Sequence, residues 1–314
     1  MKKNLIKNLA GWLIIAMISI ITYSCNSVSY ASAANSTRTM SIDKKFTGLK
    51  TEAAIEITYT QNNSKPMAVI TGPKEVIDGM NYSINKKGVL SFVLPKTKKN
   101  YRGKVSIELN GGPLYNYEAT SSGTIKVTTP VKVSETLNFA VSSSGEIVMM
   151  KDINSGTKNI NVAVSSSGKM MFQGSLLEGA AFNFVTSSSA FIKFNSIEGK
   201  AMNYAASSVG TLEGLNLKLN IANFSVSSGG GITVRQLIAN TLSATTSSGA
   251  EIDCENVNIG NISLIASSGG TITLNGKVNE AIMSASSGGD INVKGLKINK
   301  TINRNSSSGG SINL

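Results

Sequence analysis

The residues with the strongest potential for chemistry are three acids around a cysteine: Glu251, Asp253 and Glu255 beside Cys254. In an extended strand alternate side chains share a face, so the three carboxylates would point outward together. Carboxylate oxygens are the ligands of hard cations such as Ca²⁺. The same pattern is also typical of a solvated face, and the acids are therefore a weak candidate metal site; no other grouping predicts a metal or a cofactor.

Nucleophilic and acid–base catalysis find little support in the sequence. The chain contains no His, which removes the commonest general base and the usual activator of a thiol. Cys254 occupies the position that Val234, Leu274 and Val293 fill in neighbouring segments, so we expect it to be buried as a small hydrophobe. No pair of carboxylates suited to glycoside hydrolysis stands out. The sequence predicts a non-catalytic protein, and a carbohydrate-active β-helix enzyme (polysaccharide lyase or hydrolase) is the alternative.

A Ser-Ser-Gly signal that recurs ten times between Ser121 and Gly310 sets the framework for these residues. Such a period indicates one supersecondary unit stacked on copies of itself. Gly at a sharp corner supplies a positive φ or a close backbone approach, which predicts corners that include Gly229, Gly269, Gly288 and Gly309. We take the second residue of each pair as the corner mark, and successive marks are 19 to 23 residues apart. The marks are Ser122, Ser144, Ser167, Ser189, Val209, Ser228, Ser248, Ser268, Ser287 and Ser308.

Between corners, apolar residues alternate with polar ones as in half-buried strands. Ile272 and Leu274 form one alternating set in residues 266–286, and Ile282, Ser284 and Ser286 form a second. The fold class is therefore all-β, a right-handed parallel β-helix (β-solenoid) of about ten coils, since parallel crossovers are almost always right-handed. We expect equivalent aliphatic residues to form columns along the axis, and the predicted core positions are Ile232, Val234, Ile252, Cys254, Ile272, Leu274, Ile291 and Val293.

The chain before the repeats, residues 37–118, lacks the corner signal but is rich in short strand patterns separated by Asn and Gly. It predicts a β cap or irregular first coils, followed by the repeat domain over residues 119–314. Leu314 would lie inside a strand at the far end of the stack, where a second copy could pair end to end. A further alternative function is therefore an envelope assembly component that stacks through this end.

Residues 1–24 are typical of an export signal, with Lys2, Lys3 and Lys7 before a short apolar stretch. A small residue before Cys25 resembles a bacterial lipoprotein processing site, which would make Cys25 the lipidated first residue and residues 25–36 a linker. Ordinary cleavage after Ala31-Ser32-Ala33 is the alternative. The predicted location is the outer membrane or cell surface, with the periplasm or secretion as alternatives and the membrane contacted through the lipid only.

The formal net charge is +12 at pH 7. The lysines are scattered singly and lack the interleaved aromatics of a nucleic-acid platform, so no nucleic-acid partner is expected. A surface glycan or another envelope protein is the predicted partner.

Three parts of the chain resemble the Bacteroidetes head GIN domain family (domain of unknown function 2807), described as autotransporter-like adhesins. They are the segment Arg38…Phe46-Thr47-Gly48-Leu49 with Ile55 to Gln61, then Val69-Ile70-Thr71-Gly72-Pro73, and the Ser-Ser-Gly-Gly coils. The resemblance implies an exported all-β protein with β-helical rungs and an adhesive role. It brings no catalytic residues with it.

Overall fold

A computed structural model of the chain describes residues 35–95, 104–154, 156, 158–176 and 181–314. Residues 35–314 form one compact unit. It is nearly all β, with one short helix, α1 (Lys74–Ile77). The strands, numbered in chain order, are β1 (Asn35–Ser41), β2 (Gly48–Thr51), β3 (Ile55–Gln61), β4 (Met67–Pro73), β5 (Asn81–Ile84), β6 (Val89–Val93), β7 (Val105–Gly111), β8 (Asn116–Ala119), β9 (Thr124–Val127), β10 (Val131–Lys132), β11 (Leu137–Val141), β12 (Glu146–Met149), β13 (Ile153–Asn154), β14 (Asn159–Val164), β15 (Lys169–Leu176), β16 (Ala181–Thr186), β17 (Phe191–Ala206), β18 (Thr211–Val226), β19 (Gly231–Thr246), β20 (Glu251–Ala266), β21 (Thr271–Ala285), β22 (Asp290–Asn292), β23 (Leu296–Ser306) and β24 (Ser311–Asn313).

The predicted β-solenoid of about ten turns is confirmed. Each long strand, such as β18, carries three runs of alternating buried and exposed residues joined by two outward-facing residues. These runs form the first, second and third sides of a coil, over residues 211–214, 216–219 and 221–226 in β18. Since parallel pairing holds residue against residue, every position of one coil lies over its equivalent in the next. The right-handed sense of the coil stays a prediction.

A single column of aliphatic residues runs through the first side of the stack. The predicted set Ile232, Ile252, Ile272 and Ile291 is in direct register, and each of the four is at most 1% exposed. The column continues in both directions through Ile57, Ile125, Ile147, Met170, Ile192, Leu212 and Ile312.

The second column on this side includes Val234, Cys254 and Leu274, all fully buried. One coil places Gly214 in this column, where the ring of Phe194 from the preceding coil fills the space; a Cβ on Gly214 would come within 2.0 Å of the ring. The wide variation in size along the column is therefore compensated between neighbouring coils, as close packing of a core requires.

Every corner is a type I′ turn, which needs a positive φ at both central residues. In the first corner Ser121 and Ser122 have φ values of 51° and 65°, and the amide of Gly123 donates to the carbonyl of Thr120 at 2.9 Å. Gly takes the second central position in the last five corners, at Gly229, Gly249, Gly269, Gly288 and Gly309. Serine fills most of the remaining positions at a conformational cost that glycine does not carry.

Backbone bonds link these corners along the axis. The amide of Ser122 donates to the carbonyl of Ser143 at 3.0 Å, and the same bond recurs between successive corners as far as Gly249 and Ser268. The aligned bends thus satisfy their own backbone groups, which gives the serine stripe a structural role.

The corner marks contain one register error. The sequence signal equates Val209 with Ser228, whereas β18 and β19 pair so that Val209 lies over Gly229. The marks at Ser228, Ser248, Ser268, Ser287 and Ser308 accordingly occupy the first central position of the turn, one residue earlier than the marks from Ser122 to Val209. The alignment of the corner marks is wrong by one residue from Ser228 onward, because Ser and Gly exchange at the second central position of the turn.

The second alternating set of residues 266–286 is also shifted by one residue. Ala281, Met283 and Ala285 are buried there, while Ile282 is 58% exposed. Which residues face the core is set by pairing with the preceding coil, where the partners are Ile262, Leu264 and Ala266. This pairing overrides the local apolar pattern.

A cap of antiparallel strands covers the start of the stack. Strand β4 pairs antiparallel with both β1 and β7, and β5 and β6 form a hairpin. Arg38 of β1 donates through Nη1 to the carbonyls of Ile77, Asp78 and Met80 at 2.9 to 3.1 Å, which ties the strand to the end of α1. Parallel stacking begins beneath these strands, where β2 pairs with β8 and β3 with β7 and β9.

Truncation within the isoleucine column should destabilise the stack. Ile252→Ala removes a fully buried side chain that neighbouring coils cannot replace, so we expect a loss of about 2–5 kcal/mol in the free energy of unfolding. The matched control in the same coil, Ile265→Ala, alters a side chain that is 46% exposed and should cost less than about 1 kcal/mol. Urea unfolding followed by circular dichroism measures both, and equal losses would contradict the packing described.

The left-handed corner makes a second prediction. Gly269 has a φ of +74°, and a Cβ there would meet no atom within 4 Å. Gly269→Ala should therefore cost about 1–2 kcal/mol through backbone strain alone. Gly231→Ala is the control, because its backbone has no positive φ and the nearest atom lies 3.5 Å from the added Cβ. The thermal midpoints of the two variants should differ, and a Gly269 variant as stable as the control would refute the strain.

Candidate functional site: an asparagine groove

A ladder of asparagines runs along the outward surface of the third side. Each Nδ2 donates to the Oδ1 of the asparagine in the preceding coil, at 2.9 to 3.1 Å. The ladder consists of Asn116, Asn138, Asn161, Asn183, Asn203 and Asn223.

The local sequence explains why these amides point outward. Each asparagine lies four residues before the first residue of a corner turn, and the residue after it points into the core. In the first two rungs those inward residues are Tyr117 and Phe139, whose rings stack with centroids 5.1 Å apart. The ladder therefore stands on packed core side chains and has a rigid base.

A strip of small apolar residues runs beside the ladder, two positions further along each strand. Ala140, Ala163, Val185 and Ala205 are in direct register, and Val185 is 50% exposed. Ladder and strip together line a concave surface, which we call the asparagine groove.

The groove includes a cavity of about 560 Å³ near the cap. Its floor includes Asn116, Asn138 and Asn161, and Lys87 and Val89 of the β5–β6 hairpin stand at its cap end. A second depression, of about 430 Å³, shares Asn183 and Val185 with it and continues to Ser243 and Thr245. The groove thus follows the axis over several coils and has the volume of a ligand site.

The groove is uncharged along its middle. The residues that face outward on the third side in β11, β14 and β16 are Asn, Ala and Val, and Asn, Ala, Ser and Ile continue the surface in β17 and β18. Charge enters at the cap end, where Lys50 and Glu118 pair at 3.0 Å beside Lys87. In a chain of net charge +12 this neutral surface favours a neutral ligand.

The ladder leaves hydrogen-bonding capacity free. A side-chain amide has two N–H donors and two acceptor lone pairs, and the ladder uses one of each at an interior rung. Every rung therefore offers a donor and an acceptor, repeated about every 4.8 Å along parallel strands. This arrangement can hold a hydroxyl-rich chain laid along the axis.

The three acids proposed as a weak metal site lie on the first side, away from the groove. Glu251 and Asp253 face outward, and Glu255 lies 3.8 Å from Nε of Arg235. Burial, and then the charge of Glu255, raise the pKa of the Asp253 carboxyl. Among the described residues no group of three or more acid, His or Cys side chains could hold a metal ion, and we do not propose a site there.

Cys254 is fully buried in the core column, as expected. Burial, with a smaller contribution from Asp253, raises the pKa of its thiol to about 12, so the reactive thiolate is scarce at neutral pH. Cys25 and the export signal lie outside the described residues, and lipidation stays a prediction.

The groove is not among the features predicted from the sequence. The available signal was an Asn at a fixed distance before each corner, followed by an aromatic or aliphatic residue, in the segments NYEA, NFAV, NVAV, NFVT, NYAA and NFSV.

The fold and the groove define the chain as a β-solenoid with an extended external groove and a cap at one end. Comparison of the sequence with known families extends this description. Residues 45–235 and 220–314 match the family described as "Putative auto-transporter adhesin, head GIN domain". The chain belongs to this family, which confirms the resemblance seen in its sequence.

Solved structures share the architecture at low sequence identity. A "putative adhesin" from Parabacteroides merdae matches with a TM-score of 0.52 and 15% identity, covering 89% of this chain and 95% of that one. A "putative lipid binding protein" from Parabacteroides distasonis matches with a TM-score of 0.48 and 18% identity, covering 89% and 96%. The first match supports the fold alone, and we draw no conclusion from the second.

No curated protein matches the chain. In the described part of the chain no helix has the length and apolar character to cross a membrane.

Proposed function

We propose that the protein is an exported, non-catalytic adhesin that binds a neutral, extended glycan along the asparagine groove. The observation that carries the proposal is the in-register ladder of six amides on a surface that is uncharged along its middle. Membership of an adhesin-described family supports the general role, and the groove supplies its surface.

The hydroxyl groups of a sugar chain match the free capacity of the ladder. Each rung can donate one N–H and accept one O–H, so a chain lying along the axis meets the same pair of groups at each coil. Because the amides are already fixed by one another, little side-chain entropy is lost when they bind.

The apolar strip complements the ladder. Ala140, Ala163 and Ala205 are small, so the C–H face of a sugar ring or a methyl substituent can approach the sheet closely, and Val185 adds apolar contact. Among the described residues that line the main cavity, the aromatic side chains are Tyr117 and Phe139, and both are at most 2% exposed, so a sugar ring has no aromatic face there on which to stack. Affinity per sugar should therefore be low, and binding should depend on several rungs acting together.

The described lining of the main cavity does not offer the pair of acids that a glycosidase uses. Glycoside hydrolysis uses two carboxyl groups on either side of the bond that breaks. Among the described residues that line the main cavity, Glu118 is the single carboxylate, and it is paired with Lys50 at 3.0 Å. This supports binding without catalysis.

Blocking the groove should weaken glycan binding without loss of stability. Ala163→Tyr adds a bulky side chain to an exposed position of the strip, and we expect at least a 10-fold weaker apparent affinity, equivalent to about 1.4 kcal/mol. Binding is measured on an array of neutral and acidic oligosaccharides, with release of reducing ends followed in parallel.

Thr233→Tyr, an equally bulky change at an exposed position of the first side, is the control and should bind as the unmodified protein does. The unmodified protein should bind neutral oligosaccharides without releasing new reducing ends. Equal binding by both variants would remove the groove from the account, and release of sugar ends would favour the enzyme alternative.

Export and a lipid anchor at Cys25 complete the proposal, since an adhesin must be displayed outside the cell. Metabolic labelling with a radioactive fatty acid in the native host should mark the unmodified protein and not Cys25→Ala. A label on both proteins, or on neither, would rule out Cys25 as the lipidated residue and leave cleavage after Ala33 as the alternative.

End-to-end pairing of two copies stays a prediction. The inward positions of the last described coil are partly open to solvent, and Ile302 is 43% exposed. No described contact bears on whether a second copy covers them.

A further inference from the structure

Two lysines lie directly opposite each other on the outward surface of the second side. Lys277 of β21 and Lys297 of β23 are partners in the parallel register, and both are exposed. Like charges directly across neighbouring strands destabilise a sheet. In the described part of the chain no other basic pair is held in this way.

Several lysines elsewhere on the stack pair with an acid from an adjacent coil. Lys218, in the same column as Lys277, pairs with Glu198 at 2.6 Å, and Lys193 pairs with Glu213 at 3.0 Å. Neither Lys277 nor Lys297 has a carboxylate within 4.0 Å among the described residues. The fold therefore concentrates positive charge here instead of neutralising it.

A depression has formed next to the two ammonium groups. Where β20 and β21 pair, Glu255 and Asn256 face the single residue Asn275, so the later coil is one residue shorter. Gly276 completes the bulge with a φ of +129°, and a Cβ there would come within 2.2 Å of the carbonyl of Val257. The chain thus turns inward at the one residue type that allows it.

The depression has a volume of about 330 Å³, and its lining combines Ile238, Val257 and Gly276 with polar side chains. Besides the two lysines, the amides of Gln236, Asn256 and Asn258 border it. We call this site the lysine notch. Ammonium and amide N–H groups around a small concave space are the donors that an oxyanion requires.

We propose that the lysine notch binds an oxyanion group, sulfate or carboxylate, carried by an anionic polysaccharide. The bound anion would offset the repulsion between Lys277 and Lys297 and accept from both ammonium groups and from the neighbouring amides. The notch lies on the second side, whereas the asparagine groove lies on the third, so the inference is independent of the neutral-glycan proposal. It gives the rod two faces of different charge preference.

The proposal is tested by measuring the binding of three defined probes. They are a heparin-derived hexasaccharide for sulfate, an oligogalacturonate hexamer for carboxylate, and chitohexaose as the neutral comparison. Calorimetric titrations at low salt should show binding of at least one anionic probe, weakened at least 10-fold in the double variant Lys277→Gln/Lys297→Gln. Chitohexaose binding should be unchanged by these substitutions.

The matched control is Lys132→Gln/Lys151→Gln, which removes the same charge from exposed positions near the other end of the stack. Its affinity for the anionic probes should change less than twofold. An equal loss of affinity in both double variants would show a general charge effect and overturn the proposed binding at the lysine notch. The proposal would also be overturned if neither anionic probe bound to the unmodified protein. The difference in affinity between the sulfated and the carboxylated probe identifies the preferred oxyanion.

A stability measurement tests the repulsion separately. Lys277→Gln should raise the thermal midpoint in low-salt buffer, and the gain should disappear at about 1 M NaCl, where charges are screened. Lys294→Gln, an exposed neighbour without an in-register basic partner, should leave the midpoint unchanged. If Lys277→Gln brings no gain at low salt, the unrelieved repulsion on which the proposal depends does not exist.

Discussion

In-register parallel pairing between successive coils is the constraint on which the rest of the structure depends. A single coil is too thin to bury its inward side chains and leaves the N–H and C=O groups of its strands without partners. Stacking solves both problems at once, because each coil supplies the hydrogen bonds and the apolar surface that its neighbours lack. The isoleucine column and the bonds between corners are two results of the same register.

The same constraint determines what can be displayed on the outside. A residue type repeated at one position becomes a ladder, and its effect depends on whether that residue can bond to itself. Asparagine can, since an amide is both donor and acceptor, and a rigid neutral array results. Lysine cannot, and Lys277 opposite Lys297 leaves a positive site open to an external anion. One geometric rule thus produces two surfaces of different chemical character.

The sequence predicted the features that repeat in composition: the β class, the coil period, the corners and the isoleucine column. It could not decide registers in which residue types exchange. Val209 was equated with Ser228 because serine and glycine are both accepted at a left-handed corner, and the exposed Ile282 was preferred to the smaller Ala281 and to Met283. In both cases the pairing with the neighbouring coil decides the position, and that information is not local.

The groove was hidden for a related reason. Each ladder residue is unremarkable in its own segment, and significance appears only when Asn161 and Asn183 are aligned at the same distance before their corners. The notch was harder still, since it depends on a one-residue difference between adjacent coils and on the backbone of Gly276.

Disulfide trapping of the register tests the central claim most directly. In a Cys25→Ser background, where the remaining Cys254 is buried, the pair Ser243→Cys and Ser263→Cys should oxidise readily, because partners on adjacent parallel strands lie about 4.8 Å apart, within disulfide range. The offset pair Ser243→Cys and Ile265→Cys should not, since two residues of displacement exceed that range. Mass spectrometry of peptides from the monomer that shows the first link and not the second supports the stack; the reverse result would contradict it.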